Sequence, residues 1–224
     1  TPPEFSADSV YDLINAEGSK PYDARDLIKC IVDKGSMLEF KEKYGQALVT
    51  AYAKIGEHPI GIIANQRIQT QPKKGGIEIG GVIYTESSDK AARFVMDCNQ
   101  TKIPLLFLQD VMGFMVGKEA EQSGIIRSGA KLVNVVSNSI VPKLTVVVGN
   151  SFGAGNYALC GKAYDPNFIV AWPNAKYTVM GAKQAADTLF SVQKRAAERD
   201  GKVLDNDELK SMHQSILQRY QEHM

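Results

Sequence analysis

Two stretches of this chain share an arrangement that can do chemistry without a reactive side chain. The first reads Leu105-Leu106-Phe107-Leu108-Gln109-Asp110-Val111-Met112-Gly113-Phe114-Met115-Val116-Gly117, and the second Leu144-Thr145-Val146-Val147-Val148-Gly149-Asn150-Ser151-Phe152-Gly153-Ala154-Gly155-Asn156. Each is an apolar run, then a turn of small residues, then the start of a helix. A strand that turns abruptly into a helix leaves the first N–H groups of that helix without partners, and the helix adds positive potential there. Glycine and alanine in the turn let a ligand oxygen approach the backbone. Amides placed this way hold developing negative charge, and losing one such donor raises a barrier by roughly 3 kcal/mol. Close packing of helix on strand produces the same spelling, so the pattern alone leaves both open.

A competing chemistry lies in the same segment. Gly149-Asn150-Ser151-Phe152-Gly153 matches the G-x-S-x-G nucleophile elbow between a strand and a helix, with Ser151 as nucleophile. Its acid and histidine partners would have to come later in the chain, and the later histidines are His213 and His223, both in a polar closing helix. No HGGG-type segment precedes the elbow. The other features are blander. The pairs Gly75-Gly76 and Gly80-Gly81 fit no phosphate-binding spacing and read as part of a mobile loop over Gln66–Gly81. Lys73-Lys74 read as a solvated tip, with contact to a ligand phosphate as the alternative. Arg127 and Lys131, one helical turn apart, read as a solvated face, and Tyr157 as core or as a pocket wall. Cys30, Cys98 and Cys160 fit no zinc motif and cannot all pair, so they are expected to be reduced and buried. With the three histidines scattered, no metal site is expected.

The elements that must position the two corners are set by periodicity. Residues 1–20 read as an irregular lead-in. A helix is predicted over Ala24–Lys34 behind Asp23 as N-cap, and strands over Leu48–Ala53 and Ile60–Ala64 joined by a hairpin turn at Gly56-Glu57-His58-Pro59. Ala91, Phe94, Val95 and Cys98 mark the buried stripe of a helix from Ser88 to about Gln100. Pro104–Leu108 and Leu144–Val148 read as buried strands. Between them a helix from Lys118 to Ser139 is expected to break near Gly124. A helix through Cys160 comes after the second corner. Short strands at Phe168–Trp172 and Lys176–Met180 come next, then helices over Ala182–Phe190 and Asp205–His223. The last is capped by the Asp205/Glu208 spacing. This order predicts an α/β layer fold with a partly parallel sheet, in a single domain over 21–224. A formal net charge of +1 gives no basic excess for nucleic acid, and no apolar run approaches the ~18 residues of a membrane span. The opening residues lack a signal pattern. The expected location is the cytoplasm, or the mitochondrial matrix if a transit peptide has been removed.

Longer blocks add specificity. Pro21-Tyr22-Asp23-Ala24-Arg25-Asp26-Leu27-Ile28, Phe40-Lys41-Glu42-Lys43-Tyr44-Gly45 and Gly61-Ile62-Ile63-Ala64-Asn65-Gln66 are succeeded by Ser88-Asp89-Lys90-Ala91-Ala92-Arg93-Phe94 and Ile103-Pro104-Leu105-Leu106. Then come Gly113-Phe114-Met115-Val116-Gly117, Gly124-Ile125-Ile126-Arg127-Ser128-Gly129-Ala130-Lys131, Gly153-Ala154-Gly155-Asn156-Tyr157, Ala171-Trp172-Pro173-Asn174-Ala175 and Val179-Met180-Gly181. In this order the blocks resemble the C-terminal domain of biotin-dependent acyl-CoA carboxylase carboxyltransferase (β) subunits, and the spelling is similar to those acting on methylcrotonyl-CoA, propionyl-CoA and related acyl-CoAs.

The resemblance implies a crotonase-like fold of the ββα superhelix type, here a single C-terminal carboxyltransferase half. The family's first half and its closing segment have no counterpart, so the chain is expected to be a fragment or a shortened relative. The implied reaction moves a carboxyl group from carboxybiotin, carried on a separate biotinylated carrier protein, to the α or vinylogous carbon of an acyl-CoA. The biotin ureido nitrogen takes the proton, and no protein acid, base or metal is needed. By position, the Ala154 and Gly155 amides are the catalytic donors to the biotin oxygen. Met112, Gly113 and Phe114 line the other side, and Phe152, Gly153, Asn156 and Tyr157 complete the pocket. Tyr157 matches a position linked to acyl selectivity, while Asn65, Gln66 and Arg127 receive no role. Implied partners are an acyl-CoA, the carrier, a biotin carboxylase subunit and further copies of the chain, at least a dimer. Alternatives are a biotin-dependent decarboxylase α subunit running the transfer in reverse, a serine hydrolase through Ser151, and a non-catalytic assembly module.

Overall fold

The computed structural model describes residues 1–14, 20–72, 75–199 and 205–222, so Lys73, Lys74 and His223 lie outside the described residues. Two compact units divide the chain, Thr1–Ala175 and Lys176–Met224. The first contains α1 (Val10–Leu13), α2 (Ala24–Lys29), β1 (Leu38–Glu39), β2 (Leu48–Ile55), β3 (His58–Asn65), β4 (Val82–Ile83), α3 (Thr85–Thr101), β5 (Leu105–Val111), β6 (Gly113–Phe114), α4 (Lys118–Gln122), α5 (Ile125–Ser137), β7 (Lys143–Phe152), α6 (Gly153–Ala158) and β8 (Phe168–Ala171). The second contains β9 (Lys176–Thr178), α7 (Ala182–Arg199) and α8 (Asn206–Glu222). The opening stretch, read from sequence as irregular, includes a 3-10 turn at Ala7–Ser9 as well as α1.

In the first unit six strands run in the order β1-β2-β3-β5-β7-β8. β1, β2 and β3 are antiparallel neighbours, and β3, β5, β7 and β8 are parallel. All seven residues of β5 are buried, as befits a central parallel strand covered on both faces. Alternation divides its side chains: Leu105 and Phe107 join Phe94, Val95 and Leu132 from α3 and α5, while Leu106 and Leu108 join Leu27 and Ile28 from α2 on the opposite face. The short parallel pair β4 and β6 forms a separate ladder beyond the end of β5.

Local chemistry explains most boundaries. Gly56 and Glu57 both have positive φ, 56° and 70°, as a two-residue hairpin turn between β2 and β3 requires. α3 starts three residues earlier than its apolar stripe suggests, because Ser87 Oγ accepts the Tyr84 N–H at 2.9 Å. The expected break at Gly124 is present, with φ 90° between α4 and α5. Asp205 and Glu208 cap α8 reciprocally at 2.8 and 3.0 Å. The helix expected over Ala24–Lys34 is shorter and ends at Lys29. Asp33 is drawn out of it: its carboxylate accepts the Gly56 and Glu57 N–H groups at 2.9 and 2.7 Å, and its own N–H donates to the Lys54 carbonyl at 2.8 Å. Within the second unit α7 and α8 pack on each other, with His213 Nε2 2.7 Å from Asp187 Oδ1. All three cysteines are free and buried. Among the described residues no helix is long and apolar enough to cross a membrane.

Candidate active site

The two corners identified from sequence meet at the ends of β5 and β7. Gly155, in the first turn of α6, lies directly on the other corner. A methyl group built there would stand 2.5 Å from Val111 Cγ2 and 3.3 Å from Gly113 Cα. Gly153 turns the chain out of β7 with φ 53°, a left-handed conformation that a side chain would strain. The N–H groups of Gly153, Ala154 and Gly155 fall in the turn that no carbonyl of the same helix can serve, and the N-cap residue Phe152 provides no side-chain acceptor. Ala154 is exposed, Gly153 half-buried, and Phe152 and Gly155 buried. Opposite them Met112 is exposed and Gly113 half-buried. The Phe114 ring lies against α5, where a methyl group at Gly129 would come within 3.0 Å of it. Tyr157 is 47% exposed, its ring edge-on to Tyr164 at 5.9 Å, so it stands at the surface beside the corner rather than in the core.

Ser151 is not poised for attack. It is buried, it lies within β7 without a positive φ, and its hydroxyl donates to Gln109 Oε1 at 2.7 Å while accepting from Asn156 Nδ2 at 2.7 Å. Gln109 in turn donates to the Leu159 carbonyl at 2.7 Å. These amides engage the hydroxyl proton and one of the oxygen's lone pairs, and no histidine is among its partners in the described residues. Ser151, Asn156 and Gln109 instead tie α6 to β5 and β7. Asn156 is therefore a brace behind the corner.

A second buried group lies beside it that sequence reasoning did not single out. Asp110 Oδ1 accepts the Asn150 N–H at 2.9 Å, and Oδ2 accepts the Tyr22 hydroxyl at 3.1 Å. Arg67 Nε stands 3.2 Å from Oδ2, an ion pair with both side chains almost entirely buried. Burial pushes the Asp110 carboxyl above the usual range, and Arg67, Asn150 and Tyr22 pull it back. Burial, then the charge of Asp110, raises the Tyr22 phenol well above its ordinary value and keeps it a donor. Asn65 and Gln66, without a role in the sequence reading, acquire structural ones. Asn65 Oδ1 accepts the Asp110 N–H at 3.1 Å, and Gln66 Oε1 accepts the Ala24 N–H at the start of α2 at 3.0 Å. The segment 66–81 is tied by the Thr70–Glu78 bridge and by the Gly81 N–H on the Gln66 carbonyl at 2.7 Å. Arg127 is exposed on α5.

A mixed sheet whose central parallel strands each end in a backbone corner defines a crotonase-like α/β domain. The carboxyl transferase domain family matches residues 1–224, so the chain belongs to that family. It is 42% identical over 220 residues to the biotin-dependent 3-methylcrotonyl-coenzyme A carboxylase beta1 subunit of Mycobacterium tuberculosis, covering 98% of this chain and 39% of that protein. Among solved structures it is similar to the geranyl-CoA carboxylase beta subunit of P. aeruginosa, with TM-score 0.83 and 36% identity over 97% of this chain and 38% of that one. It is also similar to transcarboxylase 12S, solved as a hexamer with hydrolysed methylmalonyl-coenzyme A bound. There the TM-score is 0.80 and the identity 34%, over 100% of this chain and 40% of that one. The chain thus spans about two fifths of the length of the relatives it matches.

Proposed function

We propose that this chain forms the biotin-facing half of an acyl-CoA carboxyltransferase site. The observation that carries the proposal is the contact of Gly155 with Val111 and Gly113, which sets the first-turn amides of α6 against the Met112–Phe114 corner. The bare α-carbon at 155 lets α6 pack against Val111 and Gly113, and the N–H groups of Ala154 and Gly155 suit a planar ureide whose oxygen needs donors. Carboxybiotin, on its separate carrier, supplies the carboxyl group and, once that is released, a ureido nitrogen basic enough to take the acyl-CoA proton. The work of this chain is to place charge. Ala154 and Gly155 donate to the ureido oxygen, Phe152 and Gly153 set the angle of the turn, and Met112, Gly113 and Phe114 close the opposite wall. Tyr157, exposed beside the corner, bounds the acyl end. Preorganised donors of this kind lower barriers by roughly 3 kcal/mol each. Donors for the thioester oxygen fall to a first half outside this chain, and the working unit is an oligomer of at least two complete subunits together with carrier and biotin carboxylase subunits.

The direct test is biotin bound to the chain assembled with a complete first half and examined crystallographically. Biotin with its ureido oxygen on the Ala154 and Gly155 amides is the expected result, and biotin absent from that corner at saturating concentration overturns it. Product analysis with free biotin also separates forward transfer from the decarboxylase direction. The hydrolase alternative fails on the geometry of Ser151, and a substitution checks this. Ser151→Ala is expected to keep more than a tenth of the carboxyl-transfer rate while losing about 1–3 kcal/mol of stability, since Gln109 and Asn156 each lose a buried partner. Loss of all activity with unchanged stability would restore the nucleophile.

A further inference from the structure

We propose that Asp110 is a positioning residue for carboxyl transfer: it fills a bulge in β7 and so sets where the Gly153–Gly155 amides point. The inference rests on the reading of that corner as the biotin oxygen site.

The pairing of β5 with β7 is regular up to Gln109 opposite Val147 and resumes at Val111 opposite Ser151. Two steps on β5 therefore face four on β7, and Val148, Gly149 and Asn150 bow out of the ladder. Such bulges bend a strand and re-aim the residues beyond it. The Asp110 carboxylate lies inside the bow. It takes the Asn150 N–H at 2.9 Å and Asn150 Nδ2 at 3.2 Å, both on Oδ1. The bow closes so tightly over it that a methyl group at Gly149 would stand 2.5 Å from Asp110 Cγ. Three residues after Asn150 the chain turns at Gly153. The same carboxylate holds the opposite wall. Oδ2 faces Arg67, just past the end of β3, and the chain beyond Arg67 returns so that the Gly81 carbonyl accepts the Met112 N–H at 2.8 Å. Tyr22, just before α2, completes the set at 3.1 Å. Both corners are thus referred to one carboxylate. With 2% of its surface exposed and both oxygens occupied, Asp110 acts through the backbone and not on substrate.

The test uses a complete carboxyltransferase subunit carrying Asp110→Ala, Asp110→Asn or Tyr22→Phe, with steady-state carboxyl transfer and thermal unfolding measured for each. Asp110→Ala empties the bow, and kcat is expected to fall about 30- to 100-fold with the acyl-CoA KM within about threefold of the parent, because misaligned donors weaken the transition state more than binding. Asp110→Asn keeps an oxygen for the Asn150 N–H and is expected to hold kcat within about fivefold. A folded Asp110→Ala variant with kcat within threefold of the parent overturns the proposal. So does an Asp110→Asn variant as slow as Asp110→Ala, since charge and not position would then be at work. Should Asp110→Ala not fold, Tyr22→Phe decides: a kcat reduced by about threefold or more supports the role, and an unchanged kcat overturns it. A parent without carboxyl transfer overturns the carboxyltransferase reading and this role with it, whereas an active parent with indifferent variants overturns the role alone.

Discussion

Replacing Gly155 with alanine is expected to lower kcat for carboxyl transfer by about 10²-fold in a complete subunit while leaving the KM for acyl-CoA within about threefold. The added methyl has nowhere to go. It meets Val111 Cγ2 at 2.5 Å and Gly113 Cα at 3.3 Å, and Val111 is fully buried, with a branched side chain that cannot swing aside. The first turn of α6 must move away from β5, and the Ala154 and Gly155 amides move with it. A displacement of about 1 Å in a preorganised site is enough for a loss of that size. On the proposed reading of the corner, binding of the acyl-CoA is expected to change little. Stability falls by about 1–3 kcal/mol, the ordinary cost of overpacking. A second substitution separates displacement from a general loss of structure. Val111→Ala relieves the closest contact, so the Val111→Ala, Gly155→Ala double variant should recover about tenfold of the lost kcat although it lacks more core. A Gly155→Ala enzyme within threefold of the parent would remove the corner from the mechanism.

Lys90→Met is expected to stabilise the protein at pH 7 by on the order of 1–3 kcal/mol. Lys90 lies on α3 with no exposed surface, and its Nζ has no hydrogen-bond partner among the described residues. Burial pulls its pKa from the ordinary 10.5 down to about 8. Glu39, Glu78 and Glu42 push it up, and Arg25 adds to the lowering. In the unfolded chain the amine keeps its ordinary value, so between about pH 8 and 10.5 the unfolded state holds the proton more tightly. Stability contributed at this site therefore rises with pH through that window, and below it the fold carries the full penalty of the buried charge, about 3 kcal/mol. Methionine has a similar length and no charge. The lost attraction for Glu39, Glu78 and Glu42 subtracts from the gain, which is why the expected figure spans a range. Urea unfolding at pH 7 and at pH 10 measures both the gain and its shrinkage at high pH. A variant less stable at pH 7, or a difference from the parent that does not shrink as pH rises, would contradict the assignment.

The paired strands and the long helices are legible in the sequence because their signals are local. The stripe Ala91, Phe94, Val95, Cys98 is buried as its spacing predicts, the helix after Lys118 breaks at Gly124, and the Gly56-Glu57 turn closes the hairpin. Misreadings arise where a distant partner overrides a local preference. The pattern over Ala24–Lys34 is helical throughout, yet Asp33 leaves it for the N–H groups of Gly56 and Glu57. Gly149–Gly153 spells a nucleophile elbow, yet Ser151 is closed in by Gln109 from another strand. The fit of a pattern to its own segment says nothing about the residues across the sheet.

The sequence by itself determined the order of strands, corners and helices, and the family, because apolar runs, glycine positions and ordered motif blocks are properties of contiguous residues. Only the tertiary structure decided that Gly155 rests on Gly113, that Ser151 is spent on amides, and that Asp110 occupies the bow in β7. Each of these depends on the register between β5 and β7. A bulge shifts that register by two residues, and neither strand records the shift in its own sequence.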